Sequence, residues 1–153
     1  MLTATNRSNI KISKEIELKR FSEKTFRFIK KFNTIFLYGE LGVGKTTFAK
    51  YLINNLQEKE KNKITEIPSP TFNLVYEYKI KKLRIQHYDL YRLKNKSEIY
   101  NLDIELALRD CTIIEWPEII EDILPNDRIN IYFTEINNTK IEISVRSNRQ
   151  VKL

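Results

Sequence analysis

The pattern of apolar and polar positions along the chain predicts a strand, a loop and a helix in direct succession. Thr34 to Tyr38 is a short apolar run of β-prone residues, as expected of a buried strand. From Thr46 to Leu56 the apolar residues recur at helical spacing and form one stripe. Between them lies a polar stretch that contains glycine. We therefore expect an unbroken strand–loop–helix unit in the first half of the chain.

Further alternating or apolar runs predict strands on both sides of this unit. The predicted strands are an edge strand at 10–18, a pair at 71–78 and 83–89 joined by a lysine-rich hairpin, a buried strand at 111–114, and a final hairpin of 128–133 and 140–145 around Asn137-Asn138. Two more helices are predicted, one with Ser22 as N-cap and an end near Phe32, the other from Ser97 to Leu108. Turns are expected at 57–63 and 124–127, and the prolines at 68 and 70 favour extended backbone before them.

These elements predict an α/β fold with a mixed, partly antiparallel sheet flanked by helices. The length of 153 residues predicts a small single domain over residues 1–153. No apolar run approaches the roughly 20 residues needed to cross a bilayer, so no membrane association is expected. The N-terminus lacks the apolar core of a signal peptide, and the single cysteine, Cys111, cannot form an internal disulfide. We therefore expect a cytoplasmic protein.

The net charge of +7 leaves two interpretations open. Lysines cluster between 59 and 63 and again between 79 and 84. They could be solvated loop residues of a lysine-rich chain, or they could contact a nucleic acid or an acidic partner.

The three glycines of the chain, Gly39, Gly42 and Gly44, all lie in the predicted loop. From Gly39 to Thr46 the sequence is GELGVGKT, which matches the phosphate-loop pattern G-x-x-x-x-G-K-[ST]. Glycine lets the backbone take positive φ, so that successive N–H groups form a nest for phosphate, and the following helix adds the positive end of its dipole. In this pattern Lys45 reaches the β- and γ-phosphates and the hydroxyl of Thr46 binds Mg²⁺.

A magnesium nucleotide site also needs an acid at the end of a strand beside the phosphate loop. Glu115 follows a strongly apolar strand and Asp89 follows a half-alternating one, so we expect both to act in the site. His87 lies two residues before Asp89 and so on the same face of the strand, but a lone histidine is more often structural. Trp116 either packs in the core or lies near the nucleotide.

The sequence also favours adenine as the base. Because no glycine follows Gly44, the D-x-x-G switch of GTPases and the glycine-rich signature of ABC proteins are both missing. The run Asn95-Lys96-Ser97-Glu98 only mimics a guanine-specificity motif, since no buried strand precedes it.

With these residues in view, the chain resembles the TsaE family, bacterial ATPases of tRNA threonylcarbamoyladenosine biosynthesis. The resemblance extends from about Ser22 to Val145 and rests on four motifs in order: YGELGVGKTT at 38–47, SPTF at 69–72, HYDLYRL at 87–93 and IEWP at 114–117. It implies a small P-loop fold, Mg²⁺-dependent ATP hydrolysis that is slow without partners, and an ATPase that binds and resets the TsaB–TsaD complex, which transfers the threonylcarbamoyl group. Whether tRNA is contacted, directly or indirectly, stays open.

The resemblance also assigns roles by position. It implies that the phosphates are held by Gly42, Val43, Gly44, Lys45, Thr46 and Thr47, and that Mg²⁺ is bound by Thr46 and Glu115. Asp89 belongs to the catalytic centre together with Lys45 and Glu115. Thr71 lies in a switch-like segment, and Lys140 at the place of a basic nucleotide contact. Trp116 is a further candidate for nucleotide contact because it directly follows Glu115. The family usually has glycine near Asp103, where this chain has none.

Two other functions are compatible with the residues. A small-molecule kinase would usually add an arginine-bearing lid and an acceptor pocket, and no arginine-rich segment stands out. A nucleotide-gated binding module with negligible turnover would use the same loop without hydrolysis.

Overall fold

A seven-stranded mixed sheet organises the protein, and the computed structural model describes residues 6–29, 34–123 and 127–147. The strands are β1 Asn6–Ile12, β2 Thr34–Tyr38, β3 Val75–Ile80, β4 Leu83–Asp89, β5 Cys111–Glu115, β6 Ile129–Asn137 and β7 Lys140–Ser147, in the order β1-β7-β6-β2-β5-β4-β3. β2 runs parallel to β5 and β6, and β4 runs parallel to β5, while the remaining pairs are antiparallel. The predicted mixed α/β architecture is therefore confirmed.

Helices cover both faces of the sheet and bury its central strands. They are α1 Glu15–Ile29, α2 Lys45–Lys59 and the short α3 Ile104–Ala107, with 3₁₀ helices at Lys96–Leu102 and Pro117–Ile123. Successive side chains of β2 point to opposite faces. Ile35 and Leu37 join the core with α1 and α2, whereas Phe36 and Tyr38 join the core with α3 and the 3₁₀ helices. Burial on both faces explains why β2 is apolar throughout rather than alternating.

The first helix begins earlier than the sequence predicts. The expected edge strand ends at Ile12, and α1 starts at Glu15 rather than after Ser22. The reason is local, because one carboxylate oxygen of Glu17 accepts hydrogen bonds from the backbone N–H groups of Ser13 at 2.7 Å and Lys14 at 3.1 Å. These bonds satisfy donors that the helix leaves free at its start. Ser22 is instead buried within α1.

The helix predicted from Ser97 to Leu108 is broken in two. Asp103 adopts the left-handed conformation, with φ of 49°, between the 3₁₀ helix Lys96–Leu102 and α3. A non-glycine residue pays a steric cost there, and this is the region where the TsaE pattern usually has glycine. The amphipathic spacing from Ser97 to Leu108 therefore spans two short helices and not one.

The strand predicted from Thr71 starts later, at Val75. Leu74 has a φ of 67°, and its N–H donates to the carbonyl of Pro70 at 2.6 Å, which closes a turn. Residues 71–73 are thereby kept out of the ladder. Thr71 lies at the edge of the sheet, where it contacts Asp89.

Several smaller expectations can also be compared with the structure. The predicted helix end near Phe32 and most of the predicted turn at 124–127 lie outside the described residues. Cys111 is buried, and burial raises the pKa of its thiol to about 12, so that it is a poor nucleophile at neutral pH. Across the described ranges, no helix combines the length and the apolar character that crossing a bilayer requires.

Candidate nucleotide and metal site

The glycine loop connects the end of β2 to the start of α2, and two of its glycines have different reasons to be glycine. A Cβ at Gly39 would lie 2.6 Å from the carbonyl oxygen of Phe133 on β6, so the space forbids a side chain. Gly44 has room, but its φ of 117° is a conformation that L-residues rarely adopt. Gly44 is the N-cap of α2. The loop therefore presents its backbone N–H groups at a helix N-terminus, as an anion site requires.

The sheet brings the two predicted acids together. Asp89 ends β4 and Glu115 ends β5, and the two are register partners in the parallel β4–β5 pair. On its other side Glu115 is in register with Leu37 near the end of β2. Carboxyl ends of parallel strands meet at one edge of a sheet. Both acids consequently lie at the edge from which the glycine loop departs.

Glu115 is held by one contact on each of its two oxygens. Its Oε2 accepts a hydrogen bond from the hydroxyl of Thr46 at 2.8 Å. Its Oε1 lies 2.8 Å from Nε2 of His87. Glu115 is only 1% exposed, so both contacts offset the cost of removing a carboxylate from water.

Asp89 is also buried, and its carboxylate accepts two hydrogen bonds. Its Oδ2 accepts from the hydroxyl of Thr71 at 2.8 Å, and its Oδ1 accepts from the backbone N–H of Tyr91 at 2.9 Å. The hydroxyls of Thr71 and Ser69 lie 2.8 Å apart. Thr71 thus links the 69–72 segment directly to an acid at the strand edge.

Lys45 is folded back onto its own loop. Its ammonium donates to the carbonyls of Gly39 and of Glu40, the latter at 2.9 Å, and lies 4.0 Å from the centre of the Trp116 ring. Burial lowers the pKa of Lys45, while the Glu115 and Asp89 carboxylates oppose that shift. A negatively charged ligand can replace these carbonyls as the acceptor for the Lys45 ammonium, which would then have a charged partner in place of neutral ones.

Trp116 forms a wall of the site. Its φ of 56° places it in the left-handed region, which is costly for a bulky residue and frequent at functional sites. The ring packs against Tyr91, with centroids 4.8 Å apart. The sequence left two interpretations open, and the structure contains features of both: the ring is partly exposed beside the glycine loop, and it also packs against the core that contains Phe36.

Two adjoining cavities meet at the glycine loop. One of about 140 Å³ is lined by Lys45, Thr46, Thr71, Asp89, Glu115 and Trp116. The other, of about 500 Å³, lies between the start of α1 and the β6–β7 hairpin, and Val43 and Lys140 line it. Gly42, Gly44 and Thr47 line both. Every residue that the sequence singled out for phosphate, metal or nucleotide thus borders one of two cavities that share residues of the glycine loop.

Sequence reasoning missed several residues that the fold adds to this region. His87 contacts Glu115, whereas the two-residue spacing had only placed it on the same strand face as Asp89. This contact depends on the register of β4 against β5, which are neighbours in the sheet but far apart in sequence. Tyr91 supports Trp116. The start of α1 lines the larger cavity because α1 begins at Glu15. Glu17, which caps this helix, is the sequence feature that could have indicated the early start. The run from Asn95 to Glu98 is a capping box of a 3₁₀ helix and borders neither cavity.

The donor set at the strand edge fits a magnesium ion. Mg²⁺ prefers oxygen ligands and is commonly held by one or two carboxylates and by substrate phosphates, with several waters retained. The Thr46 hydroxyl and the Glu115 carboxylate converge beside the loop, with Asp89 next to them. Among the described residues, no group of three or more histidine, cysteine or acidic side chains forms a cage for a metal.

Comparisons with known proteins give one consistent result. The family model for threonylcarbamoyl adenosine biosynthesis protein TsaE matches residues 12–145. A tRNA threonylcarbamoyladenosine biosynthesis protein TsaE of Rickettsia bellii is 40% identical over 130 residues, covering 84% of this chain and 88% of the relative. The protein of the same name in Bacillus subtilis is 34% identical over 129 residues, covering 84% and 78%. The crystal structure of Bacillus subtilis YdiB superposes with a TM-score of 0.72 at 26% identity, covering 94% of this chain and 87% of YdiB.

Proposed function

Because the chain belongs to the TsaE family and so has a role in tRNA threonylcarbamoyladenosine biosynthesis, we propose that it is the Mg²⁺-dependent ATPase of that pathway. In this proposal it binds the TsaB–TsaD complex and resets it between turnovers by hydrolysing ATP. It does not itself transfer the threonylcarbamoyl group. Turnover is slow until the partners are present.

The observation that carries the proposal is the 2.8 Å hydrogen bond between Thr46 and Glu115 beside the glycine loop. It joins the first turn of α2 to the end of β5, so a hydroxyl and a carboxylate face the same point. Thr46 and Glu115 would hold Mg²⁺, which would supply positive charge to neutralise the phosphates. A merely structural hydrogen bond would not require a glycine nest and a lysine at the same place.

Each remaining residue has a definite task in this proposal. The backbone N–H groups from Gly42 to Thr47 cradle the phosphates. Lys45 exchanges its loop carbonyls for phosphate oxygens. Asp89, already an acceptor for a hydroxyl and an N–H, accepts a hydrogen bond from the attacking water and orients it. Trp116 limits the access of other water to the phosphates.

The larger cavity would take the adenosine end of the nucleotide. It opens directly from the loop, and its volume of about 500 Å³ lies within the usual range of ligand pockets. Lys140 is exposed on the β6–β7 hairpin at its border, where its ammonium can reach an anionic or carbonyl oxygen. The run from Asn95 to Glu98 is committed to capping a helix and cannot read a guanine.

We therefore expect ATP to be preferred over GTP. A competition assay in which GTP is added to the protein with labelled ATP measures this preference directly. Retention of the label at equal concentrations of the two nucleotides agrees with the proposal. Displacement of half of the label would contradict the predicted base preference.

Partner binding would be controlled through the 69–72 segment. Thr71 bonds to Asp89, while the next residue, Phe72, is 80% exposed and stacks with Arg92 at 5.1 Å. A γ-phosphate oxygen would compete with Asp89 for the proton of the Thr71 hydroxyl, so nucleotide state would be transmitted to an exposed aromatic side chain. Such a side chain is a suitable contact for another protein.

Size-exclusion chromatography of the three proteins tests this proposal. We expect co-elution of the chain with TsaB and TsaD in ATP, weaker association in ADP, and low phosphate release until the partners are added. Identical elution under all nucleotide conditions would contradict the switch, and no co-elution in any condition would contradict the partnership.

A phosphorylated small-molecule acceptor would favour the alternative function of a small-molecule kinase. Stoichiometric ATP binding without phosphate release, even with partners, would favour the nucleotide-gated binding module.

A further inference from the structure

We propose that His87 is a positioning residue that fixes the Glu115 carboxylate in the orientation in which its second oxygen meets Thr46 and a bound divalent cation. This inference rests on the proposed function, because it assigns His87 a role in the metal site suggested there. It gives a task to a residue that the sequence pattern left as structural.

The geometry places His87 behind Glu115 as seen from the phosphate cavity. His87 is fully buried, and it is not among the described residues that line the 140 Å³ cavity. Its Nε2 lies 2.8 Å from Oε1 of Glu115, while Oε2 of the same carboxylate bonds to Thr46. His87 therefore cannot touch a nucleotide and can act only through Glu115.

The chemistry of the contact fixes its direction. An ionised carboxylate only accepts hydrogen bonds, so Nε2 of His87 carries the proton and donates it. This bond prevents rotation of the carboxylate about its last side-chain torsion, which is otherwise broad and roughly two-fold. One oxygen is thereby dedicated to the imidazole, and the other is presented to Thr46.

The other nitrogen of His87 argues against a purely structural role. Within the described part of the chain, Nδ1 is buried and has no hydrogen-bond partner. A buried polar atom that is left unpaired destabilises the folded state. His87 stands in β4 beside Tyr76 of β3 and Ile113 of β5, where an apolar residue would avoid that cost. The histidine is therefore explained by its single bond to Glu115.

A set of His87 variants separates positioning from packing. His87→Leu fills the space without a donor, His87→Gln keeps an N–H donor near the position of Nε2, and His87→Asn keeps an amide that is too short to reach Glu115. Trp116 is the only tryptophan of the chain and lies 4.0 Å from the Lys45 ammonium. Its fluorescence therefore reports ATP binding as Mg²⁺ is titrated at a fixed ATP concentration.

We expect His87→Leu and His87→Asn to raise the Mg²⁺ concentration at half-saturation by about tenfold or more, as for partners of metal ligands generally. His87→Gln should stay within about threefold of the wild type, and ATP binding without Mg²⁺ should not change in any of them. If His87→Leu does not fold, the contrast between His87→Asn and His87→Gln decides. In a Glu115→Gln background His87→Leu should add little, because the two act through one carboxylate.

The outcomes distinguish this inference from the proposed function. If Glu115→Gln shifts the Mg²⁺ dependence and His87→Leu and His87→Asn do not, the positioning role is wrong and the metal site stands. A fall in melting temperature in those variants with an unchanged Mg²⁺ half-saturation would likewise assign His87 to packing alone. If neither Glu115→Gln nor the His87 variants alter the Mg²⁺ dependence, the metal role of Glu115 itself is wrong, and the positioning role with it.

Discussion

Replacing Lys45 with alanine is expected to abolish ATP hydrolysis while the protein remains folded. The ammonium lies at the glycine loop, where, within the described residues, it bonds to the carbonyls of Gly39 and Glu40 and contacts Trp116. Its removal takes away a preorganised charge on the transferring phosphoryl group, which is typically worth about 10³-fold in turnover. The fold should tolerate the change because Lys45 lies at the start of α2 and the hydrogen bonds described for its ammonium go to its own loop.

The measurement is phosphate release together with isothermal titration of ATP. Thr46→Ala, which removes a proposed metal ligand, should also abolish turnover. Lys50→Ala is the matched control, because Lys50 lies on the same helix and borders neither of the two cavities. Unchanged ATP affinity and turnover in both Lys45→Ala and Thr46→Ala would end the phosphate-loop interpretation.

The second large effect is expected from neutralising Asp89 and Glu115, the acids at the ends of β4 and β5. Glu115→Gln and Asp89→Asn are nearly isosteric and remove one charge each, so the cores on either side of the sheet are undisturbed. Turnover should fall by about 10²-fold or more, the loss typical of a preorganised electrostatic group. Nucleotide binding should persist, because the glycine loop and Lys45 are intact. In Glu115→Gln the amide oxygen can accept from His87 while its NH₂ donates to the Thr46 hydroxyl, which can also accept, so both contacts can persist and a loss of activity would report the missing charge.

This prediction is checked by measuring the turnover of each variant with and without the partner proteins. Nucleotide binding is measured in parallel. Glu105→Gln serves as a control, since Glu105 is an exposed acid on α3 that borders neither of the two cavities at the loop. An acid whose variant turns over at the wild-type rate would be an ordinary structural residue. A loss of ATP binding equal to the loss of turnover would place the acid in ground-state binding instead.

The part of the fold that sequence predicted well is the part determined by local patterns. β2, the glycine loop and α2 follow from an apolar run, three glycines and a helical stripe, and their bounds agree with the structure within a few residues. Glu115 could be proposed as a site residue because a buried strand ends there. The family motifs place the same residues in order along the chain. None of these inferences needs to know which strands are neighbours.

The rest depends on conformations and contacts that spacing does not encode. Asp103 and Leu74 break predicted elements because each adopts positive φ, which is uncommon for residues other than glycine and which the spacing of apolar residues does not reveal. The contact of His87 with Glu115 requires the register of β4 against β5, and that register is set by packing. The start of α1 was missed although Glu17 signalled it, because the alternation up to Leu18 also fits a strand.

The order of the strands has a consequence for the time at which the site can exist during folding. Its residues come from positions 42–47, 71, 87–89 and 115, and they are joined through the pairing of β2 with β5 and of β4 with β5. Parallel pairs cannot form as local hairpins, and their distant segments meet only after costly loop closure. No fragment that ends before β5 can contain the pocket, so nucleotide recognition belongs to the late, cooperative stage of folding. Bound nucleotide would therefore stabilise the whole fold against global unfolding, and its effect would not be confined to the local unfolding of one segment.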